Sequence, residues 1–361
     1  MSSKIQQSVE RLIRSEIQAM KAYGVPDADG LIKLDANENP FPWPPDIVQS
    51  WLEALRTVQI NRYPEANPIR LKERLCETMG IPEGMDVLFG NGSDELIQII
   101  FLALARPGSS VLAPRPTFSM YEIIAKSVGM KFFDVSLTES FALDVPAFCE
   151  AIETYQPAVT FLAYPNTPTG NLFADEAIEA VLQRSEGLVV VDEAYFIFTD
   201  GTFLPRLKQF DNLLILRSFS KLGLAGLRLG FLVGNRAWLA EFDKVRLPYN
   251  INSLTQVSTQ FALANKEVFD QQVSYIRAER ERLYQALDDM PGIRVWPSEA
   301  NFIMFQVQET DAQRVYDALY GARVLVKNLD GASGVPPNCL RVTIGTADEN
   351  MSFLQALRQG M

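Results

Sequence analysis

The segment Ser218-Phe219-Ser220-Lys221, with Arg228 just beyond it and Asp192 upstream, gathers residue types from which one particular chemistry can be built. A lysine amine stripped of water near other cations becomes a nucleophile that forms a Schiff base with a carbonyl. Two hydroxyls and a guanidinium hold a phosphate dianion, the arginine through paired hydrogen bonds. A buried carboxylate is costly unless paired. A protonated pyridine nitrogen would pair it, and the protonated ring then acts as an electron sink. An aldehyde on a phosphorylated pyridine uses all of these groups, which points to pyridoxal phosphate.

Taken singly, each residue has an ordinary alternative. Asp192 alone would read as a helix cap or a structural ion pair, and Lys221 alone as an exposed loop lysine. Their context is what counts: Asp192 follows Leu188-Val189-Val190-Val191, and Lys221 follows Leu213-Leu214-Ile215-Leu216, so both sit at exits of buried strands. Gly92-Ser93-Asp94 lies at another strand-to-helix junction, where backbone N–H groups at a helix start favour a phosphate. Tyr195 is placed to hydrogen-bond a ring oxygen, and the turn Tyr164–Gly170 supplies polar groups at the same sheet edge. Phe118 is a candidate to stack on a flat cofactor. Glu193 is expected to face outward or to make structural bonds.

The elements that must position these residues follow from periodicity. Strands are expected at Val87–Phe89, Ser110–Leu112, Lys131–Val135, Val159–Ala163, Leu188–Val191, Leu213–Leu216 and Phe231–Val233. Several are continuous apolar runs, as in parallel strands covered on both faces. Helices are expected between them at Asp94–Ala105, with Ser93 as N-cap, and at Met120–Val128 and Glu176–Arg184. This is a doubly wound α/β pattern, which binds ligands at the carboxyl ends of its strands. After about residue 247 a long helix, Lys266 to Met290, precedes strands at Arg294–Trp296, Phe302–Val307, Val324–Val326 and Leu340–Ile344. With helices at Asp311–Tyr320 and Glu349–Arg358 they make a smaller α+β unit. The expected division is an arm at 1–35, a large domain at 36–247 and a small domain at 248–361. In the arm, Ile5, Val9, Leu12, Ile13, Ile17 and Met20 repeat at helical spacing, so it must bury one face on the small domain or on a partner subunit.

Composition narrows the chemistry further. The chain has 361 residues and a net charge of −11, which argues against nucleic acid or an anionic membrane as partner. Its most apolar stretch, Ile97 to Ala105, is too short to span a bilayer. The three cysteines, Cys76, Cys149 and Cys339, are scattered without metal-site spacing and fit a reduced cytoplasmic protein. No metal site is expected. Histidine is absent, which excludes Ser-His-Asp and Cys-His catalysis. Proton transfer falls to Lys, Tyr, Asp or Glu.

The chain resembles the fold-type I pyridoxal-phosphate-dependent aminotransferases, and within them the histidinol-phosphate aminotransferases. The residues that carry the likeness are Leu34-Asp35-Ala36-Asn37-Glu38-Asn39-Pro40, Asn61-Arg62-Tyr63-Pro64, Gly92-Ser93-Asp94-Glu95, Pro165–Gly170, Val191–Tyr195, Ser218–Lys221 and Cys339–Gly345. The resemblance implies a large domain with a mostly parallel mixed sheet plus a smaller α+β domain. It implies that Lys221 anchors the cofactor and then shuttles the substrate proton, with Asp192 on the pyridine nitrogen and Tyr195 on the ring oxygen. Phe118 would stack on the ring, and Ser93 and Asp94 (through backbone groups), Ser218, Ser220 and Arg228 would hold the phosphate. Tyr63 would reach that phosphate from the neighbouring subunit of a homodimer. Arg341 would bind the acidic end of either substrate, Lys327 would supply a second cation, and Tyr23 and Asn37 are further pocket candidates. Three departures stand out. Thr167 replaces the family's asparagine, leaving Asn166 or Thr167 for the ring oxygen. Phe118 replaces a tyrosine, and the Lys221–Arg228 interval is one residue shorter.

The expected activity is the interconversion of histidinol phosphate and 2-oxoglutarate with imidazole-acetol phosphate and glutamate, in histidine biosynthesis. The alternatives are an aromatic amino-acid aminotransferase and a decarboxylase of a phosphorylated amino acid such as threonine phosphate. A regulatory cofactor-binding module is disfavoured because this acidic chain has no room for a DNA-binding domain.

Overall fold

The central strands are largely apolar because helices cover both of their faces. In the computed structural model, which describes residues 4–22 and 24–361, a short strand β1 (Ile32–Lys33) comes first. It is followed by β2 (Met85–Gly90), β3 (Ser110–Arg115), β4 (Lys131–Ser136), β5 (Val159–Ala163), β6 (Leu188–Asp192), β7 (Leu213–Ser218) and β8 (Gly230–Asn235). These last seven form one sheet in the order β2-β8-β7-β6-β5-β3-β4. Every residue of β5, β6 and β7 is buried, whereas edge strand β4 mixes exposed and half-buried positions and has no buried one. Strands β3 to β7 run parallel, and β8 is antiparallel to both β2 and β7. The connection from β7 to β8 holds only two short helical turns, Ser220–Leu222 and Ala225–Leu227, too little for a parallel crossover.

The expected helices flank this sheet: Met120–Val128 as expected, the third beginning one residue early at Asp175–Arg184, and the first shifted at its start. Ser93 is the first residue of the helix Ser93–Leu104, and Gly92 takes the capping position expected for Ser93. Gly92 adopts φ 84, which turns the chain from β2 into the helix one residue early.

The second unit follows the helix Lys266–Asp288 and contains β9 (Ile293–Val295), β10 (Phe302–Val307), β11 (Val324–Leu325), β12 (Lys327–Asn328) and β13 (Cys339–Thr343). Four of these strands form an antiparallel sheet, β12-β13-β10-β9, while β11 pairs with β1 in parallel. The single strand expected at Val324–Val326 is therefore the first of two short strands, each serving a different sheet. Helices Ala312–Gly321 and Ala347–Gly360 are begun by the Asp311 side chain and by a reciprocal Thr346–Glu349 capping box.

The first residues form two short helices, Lys4–Leu12 and Ser15–Gln18. The arm meets both units: Ser15–Gln18 lies against Met120–Val128 and Arg14 donates to the Ser127 carbonyl, while β1, near the arm's end, pairs with β11 of the small unit. Ile5, Val9, Leu12 and Ile13 remain exposed in the single chain.

Candidate active site

Five parallel strands ending at one edge of the sheet bring the chemistry-bearing residues together. β6 ends in Asp192 and β7 in Ser218, while β5 runs into the Tyr164–Gly170 turn and β3 leads to Pro116, Thr117 and Phe118. Lys221 lies in the short turn Ser220–Leu222. Arg228 has left-handed backbone (φ 51) immediately after the second turn. Its Nη1 donates to Ser220 Oγ at 3.4 Å, and Ser218 Oγ donates to the same oxygen at 2.9 Å. The helix start at Ser93 completes this polar corner. A Cβ at Gly92 would lie 2.7 Å from Arg228 Nη2, so a side chain there would displace the guanidinium from this corner as well as strain the positive φ.

At the opposite end Asp192 is 4% exposed. Its Oδ2 accepts from the Tyr121 hydroxyl at 2.6 Å, and its Oδ1 from the Ala194 N–H at 3.1 Å. Burial pushes this carboxyl up to about 6, against the opposing pull of those two hydrogen bonds. No cation pairs with it among the described residues, so it is a buried carboxylate that lacks a counter-charge. Its neighbour Glu193 has one. Fully buried, it accepts from Arg217 at 2.7 Å, from Thr202, and from the Phe203 N–H. Glu193 thus makes structural bonds, joining the ends of β6 and β7.

Between the two ends, Lys221 Nζ donates to the Ala36 carbonyl at 3.0 Å and lies 5.7 Å from the Tyr195 ring centre. Asn37 Nδ2 donates to the Tyr195 hydroxyl oxygen at 2.8 Å, which leaves the phenol proton free to be donated elsewhere. A cavity of about 230 Å³ is bordered by Asp192, Tyr195, Lys221, Phe118 and the Ser93–Arg228 corner. It adjoins a second of about 450 Å³ that reaches Arg341 and Lys327. Ala36, Phe118, Thr167, Tyr195 and Lys221 line both.

The donor set fits pyridoxal phosphate. A carboxylate in need of a cation stands at one end and a hydroxyl, guanidinium and helix-start corner at the other, with an amine and an aromatic face between them.

The family described as "Aminotransferase class I and II" matches residues 29–357. The chain belongs to this family. The aminotransferase is 53% identical over 352 residues to "Histidinol-phosphate aminotransferase 2" of Nitrosococcus oceani, covering 98% of each chain. It is 44% identical to "Histidinol-phosphate aminotransferase" of Chromobacterium violaceum, again covering 98% of each. Among solved structures, the histidinol-phosphate aminotransferase of Sinorhizobium meliloti in complex with pyridoxal-5'-phosphate superposes with a TM-score of 0.84 over 97% of each chain. At 22% identity that likeness shows the fold, the fold-type I α/β architecture.

The remaining candidates in the aminotransferase differ in where the fold puts them. Arg341 reaches the outer cavity and is held by the Asp35 carbonyl at 2.7 Å, by Thr167 Oγ1 at 3.3 Å and by the Phe302 ring. Lys327 stands directly opposite it, on β12 against β13. Asn37 is buried and backs Tyr195. Asn166 does not line either cavity: its amide is spent on the Pro116 carbonyl, Thr117 and Thr169. Thr167, the other residue considered for the ring oxygen, lines both. Tyr63 is 80% exposed, stacked on Tyr249, and outside the cavities of its own chain. Tyr23 lies outside the described residues. Tyr121 escaped the sequence reading although its signal was present. It follows Phe118 by three positions at the start of a helix, and that spacing places two side chains as neighbours.

Proposed function

We propose that this aminotransferase uses pyridoxal phosphate to interconvert histidinol phosphate and 2-oxoglutarate with imidazole-acetol phosphate and glutamate. The observation that carries the substrate reading is the opposition of Lys327 and Arg341. Directly paired in register across β12 and β13, they sit on one face of the sheet and both border the outer cavity. Like charges directly opposite repel, and a shared dianion turns that repulsion into attraction. A substrate phosphate is such a dianion, and the curated relatives' name supports histidinol phosphate as its bearer.

When bound, the cofactor supplies an aldehyde that takes up the amine and a ring that accepts electron density. The chain supplies the rest. Ser93 and Asp94, through backbone groups, together with Ser218, Ser220 and Arg228 would hold the phosphate, and Phe118 would pack on the ring. Asp192 keeps a proton on the ring nitrogen, and Tyr195, with its oxygen already bonded by Asn37, donates its proton to the ring oxygen. Thr167, which borders the same cavity, steadies Arg341 and would be within reach of the bound cofactor. Lys221 is the one amine shared by the two cavities among the described residues, and with histidine absent it takes the proton from the carbon bearing the substrate amine. Arg341 holds the carboxylate of glutamate or 2-oxoglutarate in one half-reaction and, with Lys327, the phosphate in the other.

The enzyme acts as a homodimer in the cytoplasm, with Tyr63 directed to the partner's cofactor phosphate. This is supported by the exposure of Tyr63 and Tyr249 and by the uncovered apolar face of Lys4–Leu12. Among the described residues no helix is long and apolar enough to cross a membrane.

Single-turnover spectroscopy with histidinol phosphate against alanine tests the substrate. Histidinol phosphate reacts faster by orders of magnitude. Equal rates would discard the substrate and leave the cofactor chemistry standing, and release of CO₂ without glutamate would mark a decarboxylase.

A further inference from the structure

Phe118 and Tyr121 share one helix start, and each meets the cofactor cavity differently. Phe118 lines it. Tyr121 does not, because it is wholly buried behind it, with its ring 4.6 Å from Phe161 of β5 and 5.5 Å from Phe118. Its one polar atom is spent on Asp192 Oδ2, at 2.6 Å.

We propose that Tyr121 is a positioning residue, whose hydroxyl holds the Asp192 carboxylate in the orientation and charge state that pair with the cofactor's ring nitrogen. A carboxylate offers about four acceptor directions. The Ala194 N–H takes one on Oδ1 and Tyr121 takes one on Oδ2, which fixes rotation about the carboxylate bond and leaves a lone pair on each oxygen. No water has access to Tyr121, and burial together with the Asp192 charge holds its own ionisation well above the usual range. It therefore remains a proton donor throughout the working pH range. A hydrogen bond donated to the ionised form favours that form, and an ionised Asp192 is the counter-charge that a protonated ring nitrogen requires. The inference rests on the cofactor reading of this cavity and is independent of the substrate.

Tyr121→Phe keeps the aromatic packing and removes only the hydroxyl. The test is reconstitution of the full-length apoenzyme with pyridoxal phosphate and with its 1-deaza analogue, which carries C–H in place of the ring nitrogen. Loss of one charge-assisted hydrogen bond should weaken pyridoxal phosphate by about tenfold, with the analogue's Kd changed less than about twofold. Equal weakening of both would mean that Tyr121 merely shapes the pocket, and no change in either would mean that its bond is idle. Both results overturn the proposal. The same substitution in an Asp192→Asn background supplies a second arm. There the effect on pyridoxal phosphate should largely disappear, and a full additive loss would again overturn it. Failure of wild-type apoenzyme to bind pyridoxal phosphate would instead strike the cofactor assignment itself.

Discussion

Lys327 offers the sharpest test of the substrate reading, because its replacement should move two measurements in opposite directions. Directly opposed residues on an antiparallel pair have Cβ atoms about 4.5–5.5 Å apart, and Lys327 faces Arg341 in that way. Among the described residues Lys327 makes no ion pair, while Arg341 is fixed by Asp35 and Thr167. Two like charges about 6 Å apart, at an effective dielectric near 20, repel by roughly 1–3 kcal/mol once solvent screening is allowed for. Lys327→Met keeps the aliphatic stem and removes that repulsion, so the substrate-free enzyme should gain about 1 kcal/mol of stability. Binding of a phosphate dianion should lose one charge-assisted contact, worth about 1.5–3 kcal/mol, or roughly 10–100-fold in KM. Glutamate presents a single negative charge at that end, already held by Arg341, so its KM should rise less than about fivefold. Steady-state kinetics with both donors, together with thermal melting, read all three quantities. An equal rise in both KM values, or a fall in stability, would refute the view that the pair is arranged for a phosphate.

Three further outcomes follow from the same geometry. Arg217→Met strands the Glu193 carboxylate, which is fully buried. Removing one partner of such a pair costs about 3–5 kcal/mol, and adding Glu193→Leu should recover most of it in denaturant melts; a double variant no better than the single would show that pairing is irrelevant. Asp192 titrates at about 6 in the folded apoenzyme and near 4 in an unfolded chain. The native state thus binds this proton more tightly, and the stability it contributes is complete below about pH 4 and lost as pH rises through about 6. Asp192→Asn apoenzyme should therefore outlast the parent above that pH by up to the order of 3 kcal/mol, with the gap closing in acid. A gap that widens in acid would contradict this. Finally, Tyr63→Ala and Lys221→Ala chains, unfolded and refolded together, should regain activity that neither shows at the same level alone, since mixed dimers carry one intact site; no recovery would place Tyr63 outside the partner's site.

The strand exits were legible because buried parallel strands write themselves as unbroken apolar runs. Leu188–Val191 and Leu213–Leu216 announce where Asp192 and Ser218 must lie. What one chain's sequence conceals is the direction of a strand and the aim of a side chain. Phe231–Val233 reads like its neighbours, yet it runs against them because the β7–β8 connection is short. Asn166 and Thr167 are adjacent and both polar, and only the folded turn shows the first spent on Pro116 and Thr169 while the second borders the cavities. Tyr121 was hidden for a related reason. A tyrosine in an amphipathic helix is usually core, and it is core here, except for the one atom that meets Asp192.

The segment Asp35-Ala36-Asn37 explains how two separate sheets can build one site. Its three consecutive residues each hold a different functional group: the Asp35 carbonyl takes Arg341, the Ala36 carbonyl takes Lys221, and the Asn37 amide takes Tyr195. The segment follows β1, which pairs with β11, two residues before Lys327, so its position is set from the small unit. Lys221 and Tyr195 belong to the large unit, and Arg341 to the small one. Asn37 also takes a left-handed φ of 55, a conformation asparagine tolerates better than most residues, and its backbone is pinned by Thr343 and Asn301. A side chain at this position must therefore accept the strained backbone and donate to Tyr195 as well. Glycine meets the first demand and aspartate fails the second, which is the physical reason for an amide where the segment meets Lys221, Tyr195 and Arg341.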